Sequence, residues 1–138
     1  MTSQLNVDTI VDKAGSGGSN VKMANTSTYV SDGGNVTQNT VQGLAKAWIK
    51  TAGNGTSISD SLNISTLGDT GTGQQTVSFS NAMGNEEYAI TSTLNDAGSY
   101  SIACANQGAG SFRGYYFNIG GGAYYDGVQR HVVMGDLA

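Results

Sequence analysis

Charge is scarce in this 138-residue chain: 12% of the residues are Asp, Glu, Lys or Arg, about half the usual share. Six Lys and Arg against ten Asp and Glu leave a net charge of −4. That balance argues against a nucleic-acid partner, because such affinity rests on neutralising phosphates. No apolar run reaches the length of about 18 residues that a spanning helix needs, so no membrane insertion is expected. The opening MTSQLNVDTIVDKAG has neither a basic region nor an apolar stretch of the signal-peptide kind, and the chain is expected to be made in a reducing cytoplasm. Cysteine is limited to Cys104, which excludes an intramolecular disulfide and, within YSIACA, reads as a small packed hydrophobe. One histidine and one cysteine are too few for a zinc site within one chain, and no metal or cofactor is expected. The histidine, His131, lies inside the apolar segment QRHVVM, and no G-x-S-x-G motif occurs. No catalytic residue is therefore assigned, and the chain is not expected to be an enzyme.

Glycine, with 21 residues, is abundant, and the polar surface is left to Ser, Thr, Asn and Gln. Low charge weakens the defence against self-association, which suits a subunit that assembles. From Leu44 onward, β-branched and aromatic segments alternate with turn signals such as GDTGTG, NDAGS, NQGAGS and NIGGGAYYDG. Strands are expected at 45–51, 57–59, 63–67, 75–80, 88–94, 100–105, 111–119, 122–125 and 129–135. Their spacing of about 8–12 residues points to a sandwich or barrel. One helical turn is expected around Asn81–Glu87. The fold class is all-β: an antiparallel, jelly-roll-like β-sandwich over 44–138, preceded by an extended arm or attachment segment over 1–43. In the arm, Leu5, Val7, Thr9 and Val11 alternate with polar residues, VKMANTSTYV suggests a second extended piece, and SDGGNVTQNT reads as a polar connector.

One stretch is more specific. Ala45–Trp48, Asn54–Thr56, Asp60–Ser65, Asp69–Gly73 and Val77–Phe79 follow the order AKAW, a GTG-like turn, D-S-x-N-[IV]-S, D-x-G-T-G and V-x-F. This resembles the opening of the C-terminal β-domain of tailed-phage fibre and appendage proteins, especially those of marine and cyanobacterial phages. The opening SQLNVDTI and the closing RHVVMGDLA look like the corresponding ends of such proteins. The resemblance implies a virion structural protein, a short tail fibre or receptor-binding appendage that forms a homotrimer and meets other virion proteins through residues 1–43. A capsid cement protein is the alternative, its arm lacing capsid subunits and its β-domain trimerising. A small carbohydrate-binding module or glycan hydrolase is a third reading.

Tyr115, Tyr116, Phe117, Tyr124 and Tyr125 fall in two segments joined by a glycine-rich bend, with Arg113 and Asp126 close by. Strand alternation puts Tyr116 on one face and Tyr115 and Phe117 on the other. Half of them are expected to fill the core and the rest to line a subunit contact. Tyrosine also supplies rigid amphipathic area to sugars and proteins, so Tyr116, Tyr124, Tyr125 and Arg113 are candidates for contact with a host-surface glycan or protein. Asp60, Asp69, Glu86, Glu87, Asp96, Asp126 and Asp136 leave a hydrolytic carboxylate pair open. Asp69, Asp96 and Asp126 sit beside turn glycines, however, where an Asp side chain supports the turn itself. Three copies of His131 meeting on a trimer axis would be another route to a metal.

Overall fold

A computed structural model of the chain describes residues 28–30, 37–39, 43–95 and 98–136. The chain divides into two compact units, 1–41 and 42–138. In the first, β1 (Thr28–Val30) pairs antiparallel with β2 (Thr37–Asn39), Tyr29 opposite Gln38. Strand β2 falls within the stretch expected to be a connector. The overlooked cue is the Asp-Gly-Gly-Asn sequence between two β-branched segments, a hairpin signal. The alternating segment Leu5–Val11, expected to be a short strand or an extended arm, lies outside the described residues.

The second unit is all-β, with two antiparallel sheets. One has the order β4-β3-β11-β7, built from β3 (Ala45–Thr51), β4 (Ile58–Leu62), β7 (Ala89–Leu94) and β11 (Gln129–Met134). The other contains β5 (Ile64–Gly71), β6 (Gln74–Phe79), β8 (Tyr100–Gly108), β9 (Ser111–Asn118) and the two-residue β10 (Ala123–Tyr124). Along one edge β9 pairs with β8; along the other it pairs first with β6 and then, at Phe117 and Asn118, with β10. No helix forms over Asn81–Glu87. Met83 makes an isolated bridge there, and Asn85 Oδ1 accepts the Glu87 N–H at 2.7 Å, which caps a turn instead of starting a helix.

The sheets face each other because every long central strand alternates. Ala47, Ile49 and Thr51 of β3, Gln75, Val77 and Phe79 of β6, Phe112, Gly114 and Tyr116 of β9, and Gln129, His131 and Val133 of β11 are all buried. The interior is not uniform. Ala47, Ile49, Val77, Phe79, Met83, Tyr88, Phe112 and Val133 form one apolar cluster. Phe79 is its hub, with Tyr88 edge-on at 5.7 Å and Phe112 tilted at 5.9 Å. Gln75, Gln129, His131 and Thr51 make a second, polar region, in which Thr51 Oγ1 accepts the Gln129 N–H at 2.9 Å. Two buried amide atoms there, Gln75 Oε1 and Gln129 Nε2, have no hydrogen-bond partner, each at a cost of about 1–3 kcal/mol.

The first crossing between the sheets, from β4 to β5, is made by one residue, Asn63, with φ at 56°. Asparagine tolerates this left-handed conformation better than most side chains. Its side chain also takes the place of a missing strand neighbour: Oδ1 accepts the Asn81 N–H at 2.7 Å, and Nδ2 donates to the Asn81 carbonyl at 3.0 Å. The β5–β6 hairpin follows. Asp69 Oδ1 accepts the Gly71 N–H at 3.0 Å, and Gly73, at φ 66°, has the Tyr116 and Tyr125 backbones so close that a Cβ would overlap them.

Candidate functional site

Strand β9 carries two aromatic groups on opposite faces, and the alternation of the backbone sorts them. Inward lies Tyr116, at 0% exposure, with Tyr100 edge-on at 5.3 Å and Tyr125 at 5.7 Å. The Tyr116 ring packs over Gly127, where a Cβ would stand 2.7 Å from it. Tyr116 is therefore a core residue and is withdrawn from the set of receptor-contact candidates, since no atom of it reaches the surface. Tyr125 is 46% exposed and shields this inner group with its other side. Asp126 does not support its own turn: its Oδ1 accepts the N–H of Gly73, 53 residues away, and ties the β10–β11 connection to the β5–β6 hairpin.

Outward lie Arg113, Tyr115 and Phe117 at successive alternate positions of β9. Tyr124 of β10 packs beside them, 6.0 Å from the Tyr115 ring and edge-on to Phe117 at 5.4 Å. Register explains the meeting, because β10 pairs Tyr124 with Phe117. With Ser101 and Ala103 of β8, the three rings line a concavity of about 390 Å³. The small β8 side chains create it: Ala103 stands opposite Tyr115 and Ser101 opposite Phe117, so nothing bulky fills the space above them. Asn106 Nδ2 donates to the Tyr115 hydroxyl at 3.3 Å and fixes that ring at the rim. Arg113, between Thr76 and Ala105, continues the stripe, and its buried Nε has no hydrogen-bond partner. Tyr124 is 44% exposed. Of the four sequence candidates, Tyr124 and Arg113 share this face, Tyr125 lies with the inner group, and Tyr116 is enclosed. Tyr115 and Phe117 are the residues the candidate set lacked, although their alternation with Tyr116 was visible in the sequence.

The remaining candidates fall elsewhere. Glu86 and Glu87, both exposed, line a surface cleft of about 670 Å³ with Tyr88, Ala89 and Gln107. None of the described carboxylates lines the aromatic concavity, and Asp96 lies outside the described residues. His131 is enclosed between the sheets at 1% exposure, edge-on to Phe112 at 5.2 Å. It cannot meet its copies on a subunit axis, so a trimer-axis metal on this residue is ruled out by its burial. Among the described residues no group of three or more His, Cys, Asp and Glu is placed to hold a metal ion. Comparison with known proteins yields no relative: no family model, no curated protein and no solved structure matches the chain.

Proposed function

We propose that this chain is a phage virion structural protein, a short tail fibre or receptor-binding appendage, and that its outer aromatic face contacts a glycan of the host surface. The observation that carries the reading is the concavity formed by Tyr115, Phe117 and Tyr124 over Ala103 and Ser101. Flat rings present apolar area to the C–H face of a sugar, while the Tyr hydroxyls and the Arg113 guanidinium offer hydrogen bonds around it. No described carboxylate lines this concavity, which favours binding over hydrolysis. The resemblance of Ala45–Phe79 to phage appendage domains supplies the biological setting.

A glycan array probed with the full chain tests the contact. Tyr115→Ala/Tyr124→Ala is expected to weaken the best-bound glycan by at least about tenfold, on the order of 1.4 kcal/mol, without change in the melting temperature. Unchanged binding removes the face from the site. The capsid cement reading gains support from the opposite outer face, where Trp48 stands between Leu62 and Val132, with Met134 on the same strand as Val132. Leu62, Val132 and Met134 are 49%, 38% and 46% exposed, an apolar surface suited to contact between copies. Stoichiometric mass spectrometry of purified particles separates the two, since a fibre is present in far fewer copies than a cement protein. Absence from particles overturns both.

A further inference from the structure

The sandwich is open along one side. Strand β7 is an edge of the first sheet and β8 an edge of the second, and between them lies a cavity of about 310 Å³ lined in part by Tyr88, Ile90, Ser92, Ile102 and Cys104. Two of its lining side chains, Ser92 and Cys104, approach the buried His131. Ser92 Oγ stands 2.7 Å from His131 Nδ1, Cys104 Sγ lies 3.2 Å from Ser92 Oγ, and the thiol is 3.5 Å from Nδ1 itself. On the far side of the imidazole, Gln129 Oε1 faces Nε2 at 3.1 Å. An oxygen there can only accept, which favours the tautomer with the ring proton on Nε2 and the Nδ1 lone pair towards Ser92 and Cys104.

The sequence makes room for this arrangement at a cost. Gly114 faces the pair from β9, and a Cβ there would lie 2.5 Å from Gln129 Oε1 and 2.9 Å from His131 Nε2. Gln129 is fully buried, and its Nε2 goes without a partner while Oε1 holds the imidazole. A nucleophile within reach of a base, and the base oriented by a third group, is the arrangement that activates thiols and hydroxyls. Cysteine is the better nucleophile of the two, because a thiol ionises far more readily than an alcohol.

We propose that Cys104 is an acyl-acceptor site, with His131 as its general base through Ser92, and that the cavity between β7 and β8 admits small activated acyl esters. In the step, Sγ attacks the acyl carbon while the thiol proton passes to Ser92 Oγ and the Ser92 proton to His131 Nδ1. The S–C bond forms, the bond from carbon to the alkoxide or phenoxide breaks, and the leaving oxygen recovers the proton from Nδ1 by the same path. The product is an S-acyl thioester and an alcohol or phenol, with no change of oxidation state. The groups that face the reacting atoms are Tyr88 beside β7, Ser92 on β7, Cys104 on β8, Phe112 on β9 and Gln129 on β11. None of these side chains bears a charge at neutral pH. Burial raises the Cys104 pKa and lowers that of His131 to about 4, so the pair rests as thiol and neutral imidazole.

That resting state gives a test. The full chain is treated with p-nitrophenyl acetate, and the acetyl group is located by peptide mass spectrometry. Acetylation is expected on Cys104 before any amine, and it is absent there in Cys104→Ala. With His131 as base, the rate is expected to stay flat from about pH 5 to about pH 8, whereas an unassisted thiolate gains about tenfold per pH unit below its pKa. His131→Gln is expected to slow the reaction by at least about tenfold and restore that rise. First acetylation on Ser92 or an amine overturns the proposal, as does a wild-type rate that climbs with pH like that of the urea-unfolded chain. If His131→Gln fails to fold by circular dichroism, the wild-type pH profile decides alone.

Discussion

At the scale of single residues, His131 is a buried titratable ring whose environment bears on stability. Burial lowers the His131 pKa from 6.5 to about 4, while in the unfolded chain it stays near the ordinary value. Between those values the unfolded state binds a proton that the folded state refuses, so stability rises with pH across the window. The His131 contribution is present in full above about pH 6.5 and is lost progressively as pH falls towards 4, by on the order of 3 kcal/mol. Urea melts at neutral pH and near pH 4.5 should show this loss, and His131→Gln should remove that part of it. Sequence alone placed His131 in an apolar strand. Its partners, Ser92 and Cys104, come from strands 39 and 27 residues away, a juxtaposition that no local pattern encodes.

At the scale of elements, strand positions were largely legible because the governing signal is local. Alternation of apolar with polar residues, broken by Gly, Asn and Asp, marks β6, β9 and β11 to within a residue or two of their ends. Misreadings arose where a side chain overrides the pattern. Asn63 reads as the first residue of a strand but is the corner between sheets, and the Asn85 cap replaces the expected helical turn. The corner also gives the D-S-x-N-[IV]-S step a physical meaning: its asparagine turns the chain from β4 into β5. Asn63→Ala loses a left-handed-tolerant residue and two hydrogen bonds to the Asn81 backbone. It is expected to destabilise the domain by about 1–3 kcal/mol, read as a lower urea midpoint with unchanged slope. Asn63→Gly, which restores only the conformational freedom, should recover part of the loss and leave the remainder to the hydrogen bonds.

At the scale of the whole molecule, every member of the buried apolar cluster among the described residues lies between Ala47 and Val133, within the second compact unit. Deleting residues 1–43 is therefore expected to leave the β-domain folded with a melting temperature within a few degrees of the full chain, on the grounds that no described member of that cluster is removed. If the first segment is the attachment arm, the truncated chain should at the same time fail to bind particles. Normal particle binding by the truncated chain would move attachment into the β-domain, where the Trp48, Leu62 and Val132 face is the first candidate.

Sequence by itself determined the class of fold, the positions of most strands and the two-faced character of β9, because each follows from residue periodicity and turn chemistry acting over a few residues. Only the tertiary structure decided the strand order, the company each aromatic keeps, and the meeting of Ser92, Cys104, His131 and Gln129. Those depend on which strands pair and on the one-residue crossing at Asn63, which carries β5 into the second sheet. Tyr116 shows the division well: its face was legible from alternation, while its complete burial against Tyr100, Tyr125 and Gly127 required β8 and the β10–β11 connection to close over it.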